Sequence, residues 1–75
     1  MDEKPTDLQR RLGDNLQRLR HEAGLSQEDL ASNAGLDRTF ISGCERYIRN
    51  PSITTLERLA KGLGVDPSQL LEPNK

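Results

Sequence analysis

Arg38, Thr39, Ser42 and Arg46 recur at steps that bring hydrogen-bond donors to one side of a short helix. Side chains of these types suit base edges and phosphates. Arg38 can fork onto guanine O6 and N7, the commonest specific contact in a DNA major groove, or remain a solvated arginine paired with Asp37 or Glu28. Thr39 and Ser42 can bond a base or a phosphate. Phe40 is unusual on a solvated face and packs either on a thymine methyl or sugar in a complex or partly into the core. Ser26 and Gln27 stand at a predicted helix N-terminus, a ready phosphate site as well as ordinary helix-start chemistry. Arg46, Arg49 and Asn50 follow, where side chains reach the nucleic-acid backbone or simply stay solvated.

Two helices and a tight turn must position this set. Ser26 caps a helix over Gln27 to Ala34, with Asp29 at its third position and Leu25 poised to staple onto Leu30. Gly35 follows where the chain must turn sharply, because glycine enters the left-handed region without a Cβ penalty. Asp37 caps the next helix, Leu36 can staple onto Ile41, and the span is about 37 to 46. Two helices joined by a short glycine-containing turn are a helix-turn-helix, whose second helix enters the major groove. Leu30, Ala31, Ala34, Leu36, Ile41 and Cys44 supply the inner faces, and Gly43 leaves room for close approach.

The rest of the chain supports these helices. Thr6 and Gln9 form a capping box for a first helix over Asp7 to Ala23, with Leu8, Leu12, Leu16, Leu19 and Ala23 at helical spacing and Gly13 on the polar side. Pro51 closes the loop at Tyr47 to Asn50, and Ser52 caps a fourth helix whose buried stripe is Ile53, Leu56, Leu59, Ala60 and Leu63. Asp66, Pro67 and Gln69 predict a short fifth helix carrying Leu70 and Leu71. The fold class is therefore all-α, a five-helix bundle in one domain over 1–75, ordered from about 6 to 72, with tails at Met1 to Pro5 and Glu72 to Lys75.

Composition excludes several alternatives. In 75 residues there are one cysteine and one histidine, too few for a disulfide framework or a protein zinc site, so no metal or cofactor is expected. Cys44 takes a core position, and His21 is a solvated side chain. There is no nucleophile and base pair or phosphate loop for an enzyme, no membrane-length apolar run and no signal-peptide pattern, so a cytoplasmic non-enzyme is expected. The net charge of −1 argues against an indiscriminate nucleic-acid coat. Arginines nevertheless concentrate near Arg38, Arg46 and Arg49 and along the first helix, which favours local, specific binding.

SQEDLA, Gly35, LDRTFISGCER, RNPS and LERLAKGLGV together resemble the lambda-repressor-like helix-turn-helix family of Cro/cI-type (XRE) regulators. The run from LDRT to RN is similar in particular to restriction-modification controller proteins. The resemblance implies transcription regulation, as a controller or repressor, by a homodimer on a pseudo-palindromic double-stranded operator, with no small-molecule ligand. It implies that Arg38 reads bases, and that Arg20 and Glu45 form a structural ion pair. With no separate dimerisation domain, the interface is expected at Ile48, Ile53, Pro67 and Leu70. A competing role is an antitoxin or adaptor holding a protein partner, but the polar Arg-Thr-Phe-Ser face lacks the large apolar anchors such an interface prefers.

Overall fold

In the computed structural model, which describes residues 4–73, the chain folds as α1 (Asp7–Glu22), α2 (Gln27–Ala34), α3 (Arg38–Glu45), α4 (Ile53–Leu63) and a single 3-10 turn (Pro67–Leu70). Each helix begins at a side-chain cap. Thr6 Oγ1 accepts from the Gln9 amide at 3.1 Å while Gln9 Oε1 accepts from the Thr6 amide at 2.8 Å. Ser26 and Asp29 make the same reciprocal pair for α2, and Asp37 and Ser52 cap α3 and α4. A cap of this kind contributes about 1 kcal/mol. The tails expected at the two ends fall partly on residues 1–3 and 74–75, outside the described residues.

The expected fifth helix is not one, so the bundle has four α-helices among the described residues rather than five. Asp66 and Gln69 cap its start, but the segment stops after four residues of 3-10 geometry. Two features end it. Glu72 precedes Pro73, which disfavours helical backbone at 72. Asn15 of α1, almost fully buried, donates from Nδ2 to the carbonyls of Leu70 (3.0 Å) and Glu72 (2.9 Å), supplying partners that a continuing helix would have supplied itself.

The core is aliphatic and draws on every element: Leu12, Leu16 and Leu19 from α1, Leu30, Ala31 and Ala34 from α2, Ile41 and Cys44 from α3, Leu59, Ala60 and Leu63 from α4, and Leu70. Burying each leucine or isoleucine contributes roughly 1.5 to 3 kcal/mol. Three residues placed in the apolar stripes lie outside this core: Leu8, 53% exposed, and Ile53, 77% exposed, at the first turns of α1 and α4, and the exposed Ala23 just past the end of α1.

Gly13 is also placed differently from the expectation. It is buried where α1 crosses the C-terminal end of α3, and a Cβ there would stand 2.7 Å from the Cys44 carbonyl oxygen and 2.7 Å from the Tyr47 ring. Only a residue without a side chain permits this approach.

All four α-helices end in the same way. The chain turns through a left-handed residue whose amide bonds back to a carbonyl three residues earlier, and the next amide bonds back five residues. Gly24, Gly35 and Gly64 take that position after α1, α2 and α4, whereas Tyr47, with φ of 67°, takes it after α3.

Candidate nucleic-acid interface

The turn from Gly35 to Asp37 sets α3 across α2. The Leu36 amide donates to the Ala31 carbonyl at 2.9 Å, and the Asp37 carboxylate accepts from the Thr39 amide at 2.8 Å. Ile41 and Cys44 are buried in one core with Leu30, Ala31 and Ala34, so the opposite side of α3 is presented outward. Bonds from backbone amides hold the Asp29 and Asp37 carboxyls below the ordinary value of 3.8, with Ser26 as partner of the first and Thr39 of the second. The folded chain therefore binds those protons less readily than the unfolded chain. Stability from these caps is complete above the unfolded carboxylate value and is lost as the pH falls through the lower folded ones.

The outward side carries the candidate contacts. Arg38, Thr39 and Arg46 are exposed, Ser42 is half-buried between them, and Arg49 and Asn50 are exposed in the loop beyond. Phe40 is half-buried and packs against the core, so its ring is shared between interior and surface. The Arg49 stem folds back over α3: a Cβ on Gly43 would lie 2.5 Å from Arg49 Cγ and 3.0 Å from Nε. The room at Gly43 is thus filled by an arginine of the same chain, whose positive charge also reaches Asp37 and Cys44. Burial pushes the Cys44 thiol up to about 11, which leaves it protonated and apolar in behaviour at neutral pH.

Behind this face an ion pair joins three elements. Arg20 of α1 donates from Nε to Glu45 Oε2 (2.6 Å) and from Nη2 to Oε1 (3.0 Å), and its Nη1 donates to the Leu25 carbonyl (2.9 Å). Both side chains are nearly excluded from solvent, at 9% and 5% exposure. Gln27, half-buried at the start of α2, donates from Nε2 to Glu45 Oε1 at 3.1 Å. Its amide group is thereby oriented by the pair, while the Ser26 hydroxyl is occupied by the α2 cap. Glu45 faces inward, away from the donor-rich surface.

The residues placed at a dimer interface separate. Ile48 (60% exposed) and Ile53 stand free on the surface and Pro67 is half-buried, but Leu70 is fully enclosed in the chain's own core and presents nothing to a partner. Its position in the 3-10 turn, inside rather than on the outer side, is the reason. Leu8, not among those residues, joins Ile53 with Leu12, Pro51, Leu56 and Leu71 around an apolar groove. Tyr47, Asp14 and Asn15 also escaped sequence reasoning: the Tyr47 hydroxyl donates to Asp14 Oδ1, fastening the end of α3 to α1. The only sequence signal was the paired presence of Gly13 and an aromatic residue at a helix end where glycine or asparagine is usual. No group of His, Cys, Asp or Glu suited to a metal ion occurs among the described residues, and no described helix is long and apolar enough to cross a membrane.

Comparison with known proteins agrees with this geometry. Residues 11–72 match the family model of a helix-turn-helix domain. The HTH-type transcriptional regulator y4dJ of Sinorhizobium fredii is 40% identical over 67 residues, 89% of this chain and 87% of its own length. Control protein C.MunI of a Mycoplasma species is 43% identical over 65 residues, covering 85% of this chain and 88% of that protein. Among solved structures, the controller protein C.Esp1396I bound to a 19 base pair DNA duplex superposes with a TM-score of 0.80 at 42% identity, over 87% of each chain. The chain belongs to the lambda-repressor-like helix-turn-helix family of Cro/cI-type (XRE) regulators, the family that also holds the restriction-modification controller proteins.

Proposed function

We infer that this protein is a sequence-specific DNA-binding transcriptional regulator, a controller or repressor, that binds a pseudo-palindromic operator as a homodimer. The observation that carries this reading is the outward face of α3, with Arg38 and Thr39 exposed, Ser42 half-buried and Arg46 exposed just past its end, held outward by a capped and buried helix-turn-helix. A relative of similar fold solved on a DNA duplex supports it. α3 lies in the major groove with its N-terminal end toward the bases, so Arg38 reads sequence. Arg49, Asn50, Gln27 and the amides at the start of α2 meet phosphates. Two copies associate through the surface around Ile48, Ile53 and Pro67, extended by Leu8, because exposed isoleucines and leucine on so small a domain favour burial. The regulator works in the cytoplasm, catalyses no reaction, and requires no cofactor or small-molecule ligand.

Base reading and backbone anchoring fail differently. Arg38→Ala is expected to cost about 1 to 3 kcal/mol on the cognate operator and little on scrambled DNA, because it removes discrimination for a guanine. Arg49→Ala is expected to weaken both duplexes alike and to reduce the slope of log affinity against log salt by about one, as one counterion fewer is released. Binding of both variants to cognate and scrambled duplexes over a salt series measures this. Parallel losses for Arg38→Ala with a cognate-only loss for Arg49→Ala would reverse the assignment.

A further inference from the structure

Among the four helix ends, the one after α3 alone places a side chain in the left-handed region. Tyr47 is half-buried there, at a φ that glycine adopts freely and that strains an aromatic residue. Its side chain supplies what a glycine could not. The ring lies over Gly13, close enough that any Cβ at 13 would collide with Cδ1 and Cε1, and the hydroxyl donates to Asp14 on the next position of α1. This hydrogen bond also raises the phenol pKa above its ordinary value. The backbone continues from this anchored side chain: the Ile48 amide returns to the Gly43 carbonyl at 2.9 Å, as the corresponding amide does after the three glycines, and the Arg49 carbonyl accepts from Gln9 Nε2 at 3.4 Å. Arg49 then lies back across Gly43 on the face of α3.

We propose that Tyr47 is a positioning residue for DNA recognition, a strap from α3 to Gly13 and Asp14 of α1 that sets the loop 48–50 and delivers Arg49 over the recognition helix before DNA arrives. The proposal rests on the DNA-binding reading and adds a residue that itself touches no DNA. A strap that orders a loop in the free protein removes an ordering cost from binding. Specific complexes demand that order, whereas loose association with scrambled DNA is satisfied by mobile arginines.

Tyr47→Gly separates positioning from stability, because glycine relieves the backbone strain while removing the strap. Cognate affinity is expected to fall about tenfold with scrambled affinity within about twofold, since only the specific complex must order the loop. The melting temperature is expected to move little, and the NMR order parameter of the Arg49 side chain to fall. Tyr47→Phe keeps the ring and removes only the hydroxyl, so it carries the same test in a smaller form if the glycine variant does not fold: a lowered cognate-to-scrambled ratio supports the strap. An unchanged ratio in a folded variant overturns the proposal, as does a melting loss with no change in ratio, which is the mark of a merely structural residue. A wild-type chain that prefers no duplex over another would refute the DNA-binding reading instead. The Arg49 order parameter would then still decide whether Tyr47 holds the loop, with an unchanged value refuting the strap.

Discussion

Glu45→Ala is expected to lower folding stability by about 3 to 5 kcal/mol, the largest single-residue effect in this chain outside the apolar core. The reason is what the substitution strands. Arg20 keeps its bond to the Leu25 carbonyl but loses both carboxylate contacts in a site where it is 9% exposed, and a buried guanidinium cannot shed its charge. Gln27 loses its acceptor as well. A domain of 75 residues has a total stability of only about 4 to 11 kcal/mol, so the variant falls near the edge of folding. Glu57 on α4 is exposed and forms no ion pair among the described residues, so Glu57→Ala should stay within about 0.5 kcal/mol of the parent chain. Urea or thermal unfolding of the two variants makes the comparison. Equal midpoints would show that the Arg20–Glu45 pair contributes nothing net to the fold.

Gly13→Ala should also destabilise, against the direction that helix propensity alone gives. Alanine in the interior of α1 gains about 1 kcal/mol over glycine. The new methyl would stand 2.7 Å from the Cys44 carbonyl, which is main chain and cannot swing aside, and 2.7 Å from the Tyr47 ring, which its hydroxyl fastens to Asp14. Forcing α1 and α3 apart costs about 1 to 3 kcal/mol by the ordinary penalty for overpacking. Melting temperature therefore falls or at best holds. A clear rise would mean that the two helices give way easily and that Gly13 is not required by their crossing.

What the sequence made legible is what depends on neighbours along the chain. Thr6, Ser26, Asp37 and Ser52 announced their helices because a cap acts on amides two or three residues away, and Gly35 announced the end of α2 for the same reason. What it hid depends on residues far apart. Gly13 looked like a flaw on a polar face because its partner, the end of α3, lies more than 30 positions away. Leu70 looked like a surface leucine until Asn15 of α1 closed over the 3-10 turn. Tyr47 carried the opposite signal from its role, since left-handed helix ends are normally read from glycine or asparagine. The candidate contacts on α3 lay in one motif and could be assigned residue by residue, but Arg49 folding over Gly43 and Gln27 bonding to Glu45 emerged only with the tertiary structure.

In the proposed function, a pair of these domains reads a two-fold DNA sequence through α3. The most direct measurement is selection of bound duplexes from a random library by the wild-type chain, followed by sequencing of the enriched pool. A pseudo-palindrome is expected, with half-sites about 34 to 36 Å apart on one face of the duplex, the spacing that sets two recognition helices in successive major grooves. Each half should contain a guanine that Arg38→Ala no longer selects. A pool that shows no enriched sequence, or enrichment that is identical for Arg38→Ala, would contradict sequence reading by this face.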